Sequence, residues 1–397
     1  MDILEEKFRR KLDSTSMDFI RSAMTKIKWD SRLIGIRGPR GVGKTTLLLQ
    51  YIKQHLPVNK TVLYASLDNI WFAENQLTDL ADQFVKRGGR YLFLDEVHKY
   101  PNWSQEIKNI YDDYSELRIV FTGSSLLEIL NARADLSRRA VIYNIQGMSY
   151  REYLHLEHDI ELPVYTLSEL IAKADSISRM VNRKIKPLMH FDDYLKWGYY
   201  PFYKEGVEVY HSRLEEIINM TLEVELPLLR HTDPAYTRKF KQLLQIISES
   251  VPFIPNVTKL SERMGINRNT FIAYLNFLEE AHIIRNVYKD AKGITKMQKP
   301  DKVLLDNTNF QFALAPHNAN QGNLRETFFA NQVSFQNNLE FSEYGDFLVN
   351  GKWTLEIGGN NKIGKQIRNV PNSFVVPDDT EYATNGRIPL WMFGLLY

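Results

Sequence analysis

The 397-residue sequence contains no cysteine. That excludes disulfides, thiolate metal sites and cysteine nucleophiles, and it suits a reducing compartment. No apolar run approaches the 18 or so residues needed to span a membrane, and the segment beginning Met1-Asp2-Ile3-Leu4-Glu5 lacks the apolar core of a signal peptide. A soluble, cytoplasmic protein without membrane contact is expected. An excess of either charge is also missing: 50 Lys and Arg stand against 48 Asp and Glu, a net charge of +2. Any nucleic-acid surface must therefore be a local patch. The apolar share of 44% and charged share of 25% are those of an ordinary globular protein. The length exceeds a single typical core, so two or three domains are expected.

The most informative stretch is Gly38-Pro39-Arg40-Gly41-Val42-Gly43-Lys44-Thr45-Thr46. It fits G-x-x-x-x-G-K-[ST] and lies between the apolar run Leu33 to Ile36 and the helical run Leu47 to Ile52. Glycines let successive N–H groups point into one concavity, and the positive end of the following helix adds to it, so phosphate oxygens are cradled. In that reading Lys44 reaches the β and γ phosphates, and the Thr45 hydroxyl ligates a bridging Mg²⁺. Tyr91 to Asp95 reads as a strand buried on both faces that ends in Asp95-Glu96. Asp95 is placed to hold Mg²⁺ through water, and Glu96 to orient or deprotonate the attacking water.

Around these motifs the pattern alternates strand and helix, which predicts an α/β fold with a mainly parallel sheet covered by helices on both faces. Strands are expected at 33–36, 61–65, 91–95 and 118–121, with helices at 77–87 and after Trp103. Residues 1–30 read as a helical preface, charged first and then amphipathic from Met17 to Trp29. Trp103 reads as a core anchor. Thr122 and Ser124, at the tip of the strand beside the acidic one, are candidates for sensing the γ-phosphate or holding water; a plain helix cap would use Ser124 in the same way.

The phosphate loop, Tyr91 to Glu96, His98 to Trp103, Phe121 to Ser125, Leu136-Ser137-Arg138-Arg139 and Ser149 to Leu154 together resemble a prokaryotic family within the AAA+-like P-loop ATPases. The resemblance implies ATP as the nucleotide, with Mg²⁺, and a C-terminal region of unknown function. Arg139 matches the family's arginine, while Arg138 replaces the usual glycine. It implies that Arg139 stabilises the transferring phosphoryl group in cis or from a neighbouring subunit of a homo-oligomer; the alternative is a pairing with a surface acid.

The implied organisation is an ATPase domain over 1–155, a helical linker or lid over 156–235, a winged helix over 236–306 and a restriction-endonuclease-like domain over 307–397. Within the linker, 166–185 reads as one helix and the aromatic run 191–202 as a packed junction. In the winged helix, Arg268, Asn269 and Asn276 would face a double-stranded DNA groove, and wing lysines Lys289, Lys292, Lys296, Lys299 and Lys302 would contact phosphates. In the last domain, Glu326 on a helix, Asp346 and Glu356 on strands resemble a Mg²⁺-binding nuclease set. The lysine that should follow two residues later is replaced by Gly358, which points to a degenerate site unless Lys362 or Lys365 supplies the charge. Three functions remain open: a Mg²⁺-dependent ATPase that repositions the later domains on DNA, an ATP-gated nuclease, and a nucleotide switch that organises proteins without DNA.

Overall fold

The computed structural model describes residues 1–123, 136, 138–227, 235–249, 254–289, 299–316, 320–359 and 361–397. The chain divides into two compact units, Met1–Gly147 and Met148–Tyr397. The helix Tyr150–His158 lies in the second unit.

The first unit is built on strands β1 (Leu33–Arg37), β2 (Val62–Ser66), β3 (Tyr91–Asp95), β4 (Arg118–Gly123) and β5 (Val141–Asn144), all parallel, in the order β2-β3-β4-β1-β5. Among the described residues, the helices of this unit are α1 (Asp2–Ser14), α2 (Ala23–Lys26), α3 (Lys44–His55), α4 (Leu77–Lys86) and α5 (Trp103–Asp113). The inner strands are apolar on both faces because helices cover both. In α4 the spacing Leu77, Leu80, Ala81, Phe84 puts one stripe into the core. Each such leucine or phenylalanine contributes about 1.5–3 kcal/mol by leaving water. Trp103 is 2% exposed and packs on Phe121, as its reading as a core anchor requires. Gly35 is needed by packing: a Cβ there would meet Ile142 at 2.4 Å and the Phe121 ring at 2.7 Å.

The preface departs from expectation. After α1 the chain is not helical until the single turn α2. A tertiary contact wins over the helical pattern: Gln50 of α3 donates to the carbonyls of Ser16 (3.0 Å) and Phe19 (2.8 Å), acceptors that a continuing helix would use internally.

The second unit begins with α6 (Tyr150–His158), started by a capping box between Ser149 and Glu152. The segment read as one helix over 166–185 is α7 (Leu167–Ala172) and α8 (Ala174–Lys184), interrupted where Lys173 takes φ −117° and ψ 21°. Next come α9 (Leu188–Trp197) and α10 (Val207–Met220). Phe191, Tyr194, Tyr199 and Tyr200 are buried around them, a packed aromatic junction. Helices α11 (Ala235–Glu249), α12 (Val257–Met264) and α13 (Arg268–Glu280) precede an antiparallel pair, β6 (Ile284–Val287) and β7 (Lys302–Leu305). Gly265 at φ 61° stops α12 and Asn267 caps α13, which buries Phe271, Tyr274, Leu275 and Leu278.

The chain ends with α14 (Thr308–Leu314), α15 (Gln321–Ser334) and strands β8 (Leu339–Phe341), β9 (Phe347–Val349), β10 (Trp353–Gly358) and β11 (Ser373–Pro377). They form a mixed sheet in the order β11-β10-β9-β8. The β9–β10 hairpin turns at Asn350 and Gly351, both at positive φ, as the Asn-Gly pair predicts. The final apolar run forms a buried 3₁₀ turn at Leu390–Leu395. Among the described residues no helix is long and apolar enough to cross a membrane.

Candidate nucleotide site

The strand order decides what meets at the carboxyl edge of the first sheet. β4 lies between β1, which feeds the phosphate loop, and β3, which ends in Asp95. Thr122 at the tip of β4 therefore stands beside the acid. The loop turns through Gly41 at φ 79° and Gly43 at φ 89°, the residue that starts α3. Gly38 has no room for a side chain, since its Cβ would lie 1.9 Å from the Ile145 carbonyl oxygen. Val42 is fully buried, whereas Thr46 is exposed. The Lys44 ammonium folds back on the loop, donating to the carbonyls of Gly38 (2.8 Å) and Pro39 (2.6 Å).

Asp95, 2% exposed, is the hub. Its Oδ2 accepts from the Thr45 hydroxyl (2.6 Å) and the Tyr64 phenol (2.7 Å), and its Oδ1 from the Thr122 hydroxyl. The Thr122 oxygen also accepts the Glu96 N–H at 3.1 Å. Glu96 sits in the left-handed region, φ 51° and ψ 45°, a conformation that costs about 1–2 kcal/mol for a residue with a Cβ. The hydroxyl of Thr122 helps hold it there. Burial, then Asp95 and Asp68, push the Glu96 carboxyl above its ordinary range, and Arg40 opposes them. His98 is held at about 3 by burial and by Arg40, Lys99 and Lys44, so it stays neutral.

The donor set fits a small hard cation beside a triphosphate. A threonine hydroxyl and a buried carboxylate 2.6 Å apart are oxygen ligands of the type Mg²⁺ takes. The structure thus brings Lys44, Thr45, Asp95, Thr122 and Glu96 together. Ser124 lies outside the described residues.

Arg139 is placed differently from the cis role implied by the resemblance. β5 runs parallel to β1 with Val141 opposite Ile34. A residue just before β5 is thus at the edge where β1 begins, roughly 13–16 Å of strand from the phosphate loop at 3.3 Å per residue. There Arg139 forms a two-pronged pair with Asp112 at the end of α5, both contacts 2.9 Å. In cis, it is committed at the wrong end of the sheet.

Two residues of this site escaped the sequence reading. Tyr64 was placed on its strand without a role; a tyrosine 3% exposed among aliphatic strands must find an acceptor for its hydroxyl, and that need was the available signal. Arg21 is 6% exposed and donates to the carbonyls of Val42 (2.6 Å), Gln146 (2.9 Å) and Gly147 (3.0 Å). It fastens the preface and the end of the unit to the phosphate loop; nothing local in the sequence marks it.

In the second unit Arg268 and Asn269 are exposed at the start of α13, and Asn276 is half-buried. Lys292 and Lys296 lie outside the described residues. Lys302 is not a wing lysine open to a phosphate: it is 4% exposed and bound to Glu326, because α15 packs beside β7.

A five-stranded parallel sheet with helices on both faces, a glycine loop running into α3 and an acid at the tip of β3 define the fold of the P-loop nucleoside triphosphatases. A family model described as an AAA domain matches residues 30–154, and one described as a domain of unknown function matches residues 188–308. An uncharacterized protein of Methanocaldococcus jannaschii is 26% identical over 317 residues, which cover 76% of this chain and 63% of the relative. The chain thus spans less than two thirds of that relative's length. Among solved structures, the Walker-type ATPase of Pyrococcus abyssi aligns with a TM-score of 0.40 and 13% identity, covering 78% of this chain and 95% of that one. AMPPCP-bound DnaA from Aquifex aeolicus aligns with a TM-score of 0.25 and 17% identity, covering 65% and 84%.

Proposed function

We propose that this chain is a Mg²⁺-dependent ATPase. The observation that carries the reading is the convergence of Thr45, Tyr64 and Thr122 on the buried Asp95 beside the phosphate loop. Thr45 and Asp95 would hold Mg²⁺, which supplies charge neutralisation across the β and γ phosphates. The loop N–H groups bind phosphate oxygens, and Lys44 exchanges the carbonyls of Gly38 and Pro39 for them. Glu96 orients a water in line with the γ-phosphorus and accepts its proton, a task its raised carboxyl suits. Lys44 meets the charge that develops on the phosphoryl oxygens. An arginine from another copy, Arg139 included, is compatible with this scheme only across a subunit contact.

The nucleotide state is conveyed to the second unit, where Arg268 and Asn269 contact double-stranded DNA; their exposure at the first turn of a helix that follows a helix and a tight turn supports this. The test is ATP hydrolysis by the full chain with and without DNA at two salt concentrations. Stimulation that weakens with salt supports DNA coupling, since phosphate contacts release counterions. Hydrolysis indifferent to DNA would leave the ATPase intact and favour protein partners. Lys44→Ala should lose ATP binding and hydrolysis together; hydrolysis unchanged in that variant would sink the assignment.

A further inference from the structure

Asp95 is held from a direction that the phosphate loop does not supply. Tyr64 lies on β2, two residues before Ser66, which stands opposite Asp95 in the parallel register. Alternation along the strand gives Tyr64 and Ser66 the same face of the sheet, and the phenol reaches Asp95 Oδ2 at 2.7 Å. Its oxygen also meets the Lys11 ammonium of α1, at 3.3 Å. An ammonium can only donate and an ionised carboxylate can only accept. The phenol between them is therefore fixed in direction: it accepts from Lys11 and donates to Asp95. Donation into an oxygen polarises its O–H, so the first bond strengthens the second.

The helix that carries Lys11 is itself fastened. α1 packs on β2 with Leu4, Phe8 and Leu12 buried, and the Phe8 ring lies 6.2 Å from that of Tyr64. At the end of α1, Lys53 of α3 donates to the carbonyls of Leu12 (3.2 Å) and Thr15 (2.9 Å). This ties α1 to the helix that the phosphate loop opens.

The donors also limit what Asp95 has left to offer. A carboxylate has about four lone-pair positions, and Thr45, Tyr64 and Thr122 take three of them. About one remains for a metal-bound water. Hydrogen-bond partners that orient a metal-holding carboxylate in this way are typically worth about 10–100-fold in metal affinity or activity.

We propose that Tyr64 is a positioning residue for the metal acid and that Lys11, acting through it, makes α1 part of the Mg²⁺ site, on the reading that Thr45 and Asp95 hold Mg²⁺ beside a bound nucleotide.

The test measures binding and not turnover. The full chain is titrated with AMPPCP in EDTA and over a range of Mg²⁺ concentrations, which gives the affinity without metal and the Mg²⁺ midpoint at which it tightens. Tyr64→Phe should bind AMPPCP in EDTA within about twofold of native, with its Mg²⁺ midpoint raised about tenfold or more. Lys11→Met, one bond further out, should raise the midpoint a few-fold, and it should add nothing in the Tyr64→Phe background, because its effect has no other route. A role confined to stability would leave the midpoints of the folded proteins equal. Equal midpoints in native and Tyr64→Phe, or additive shifts in the double variant, would overturn the proposal and leave the ATPase reading standing. Absence of any Mg²⁺ tightening in the native chain would instead remove the metal reading of Thr45 and Asp95, and the role of Tyr64 with it. Should Tyr64→Phe fail to fold, the exposed Lys11 decides: a few-fold rise in Lys11→Met supports the relay, and an unchanged midpoint overturns it.

Discussion

Thr122 offers the sharpest test of the nucleotide site, because one hydroxyl joins the metal acid to the backbone of the base. Thr122→Val keeps the shape and removes both contacts. The lost hydrogen bond to the Asp95 carboxylate is worth about 1.5–3 kcal/mol, and a Glu96 N–H left unpaired costs about 1–3 kcal/mol. The two share one atom and the N–H is only partly buried, so the values do not add; about 3 kcal/mol is expected. Thr122→Ser keeps the hydroxyl and removes one methyl from a fully buried site, at about 1 kcal/mol. Urea unfolding should therefore rank native, Ser and Val in that order. Turnover should separate the variants further: freeing Glu96 from its left-handed conformation shifts the base, and misplacement by about an ångström costs about 10²-fold. Thr122→Ser should retain turnover within a few-fold. Equal stability and equal turnover of the Val and Ser variants would refute the claim that the hydroxyl organises the site.

Other outcomes follow from the same geometry. Glu96→Gln should retain ATP binding and lose about 10²–10⁴-fold in kcat, checked by nucleotide titration alongside single-turnover hydrolysis. Because burial, Asp95 and Asp68 raise the Glu96 carboxyl, and the base acts deprotonated, kcat should fall as pH drops through a limb above the ordinary glutamate range. Arg40→Gln should move that limb higher still, since Arg40 opposes the rise; a limb that moves lower contradicts the assignment. Arg139→Ala should leave turnover of dilute protein within about twofold of native, the arginine being held by Asp112 at the opposite edge of the sheet. Arg21→Met should destabilise the first unit by about 3 kcal/mol by stranding carbonyls that the guanidinium now satisfies, measured by urea unfolding.

How much of this was legible depended on distance along the chain. The phosphate loop, the acidic strand and the Asn350-Gly351 turn are contiguous, so local sterics and the period of apolar residues determine them. Arg268 at the head of α13 and the inward Phe271, Leu275 and Leu278 were legible for the same reason. Strand order was not. It alone sets the strand of Thr122 between the one that feeds the phosphate loop and the one that ends in Asp95, sends Tyr64 to the same carboxylate and leaves Arg139 at the far edge, because parallel neighbours align edges that sequence spacing does not reveal. Lys302 has the composition of a wing lysine, yet its register opposite Val287 turns it into the unit, toward Glu326. By itself the sequence determined which residue types and local turns make a phosphate loop and an acid-tipped strand; the tertiary structure decided which charges meet, since a charge's role is set by the partners and the burial that packing brings to it.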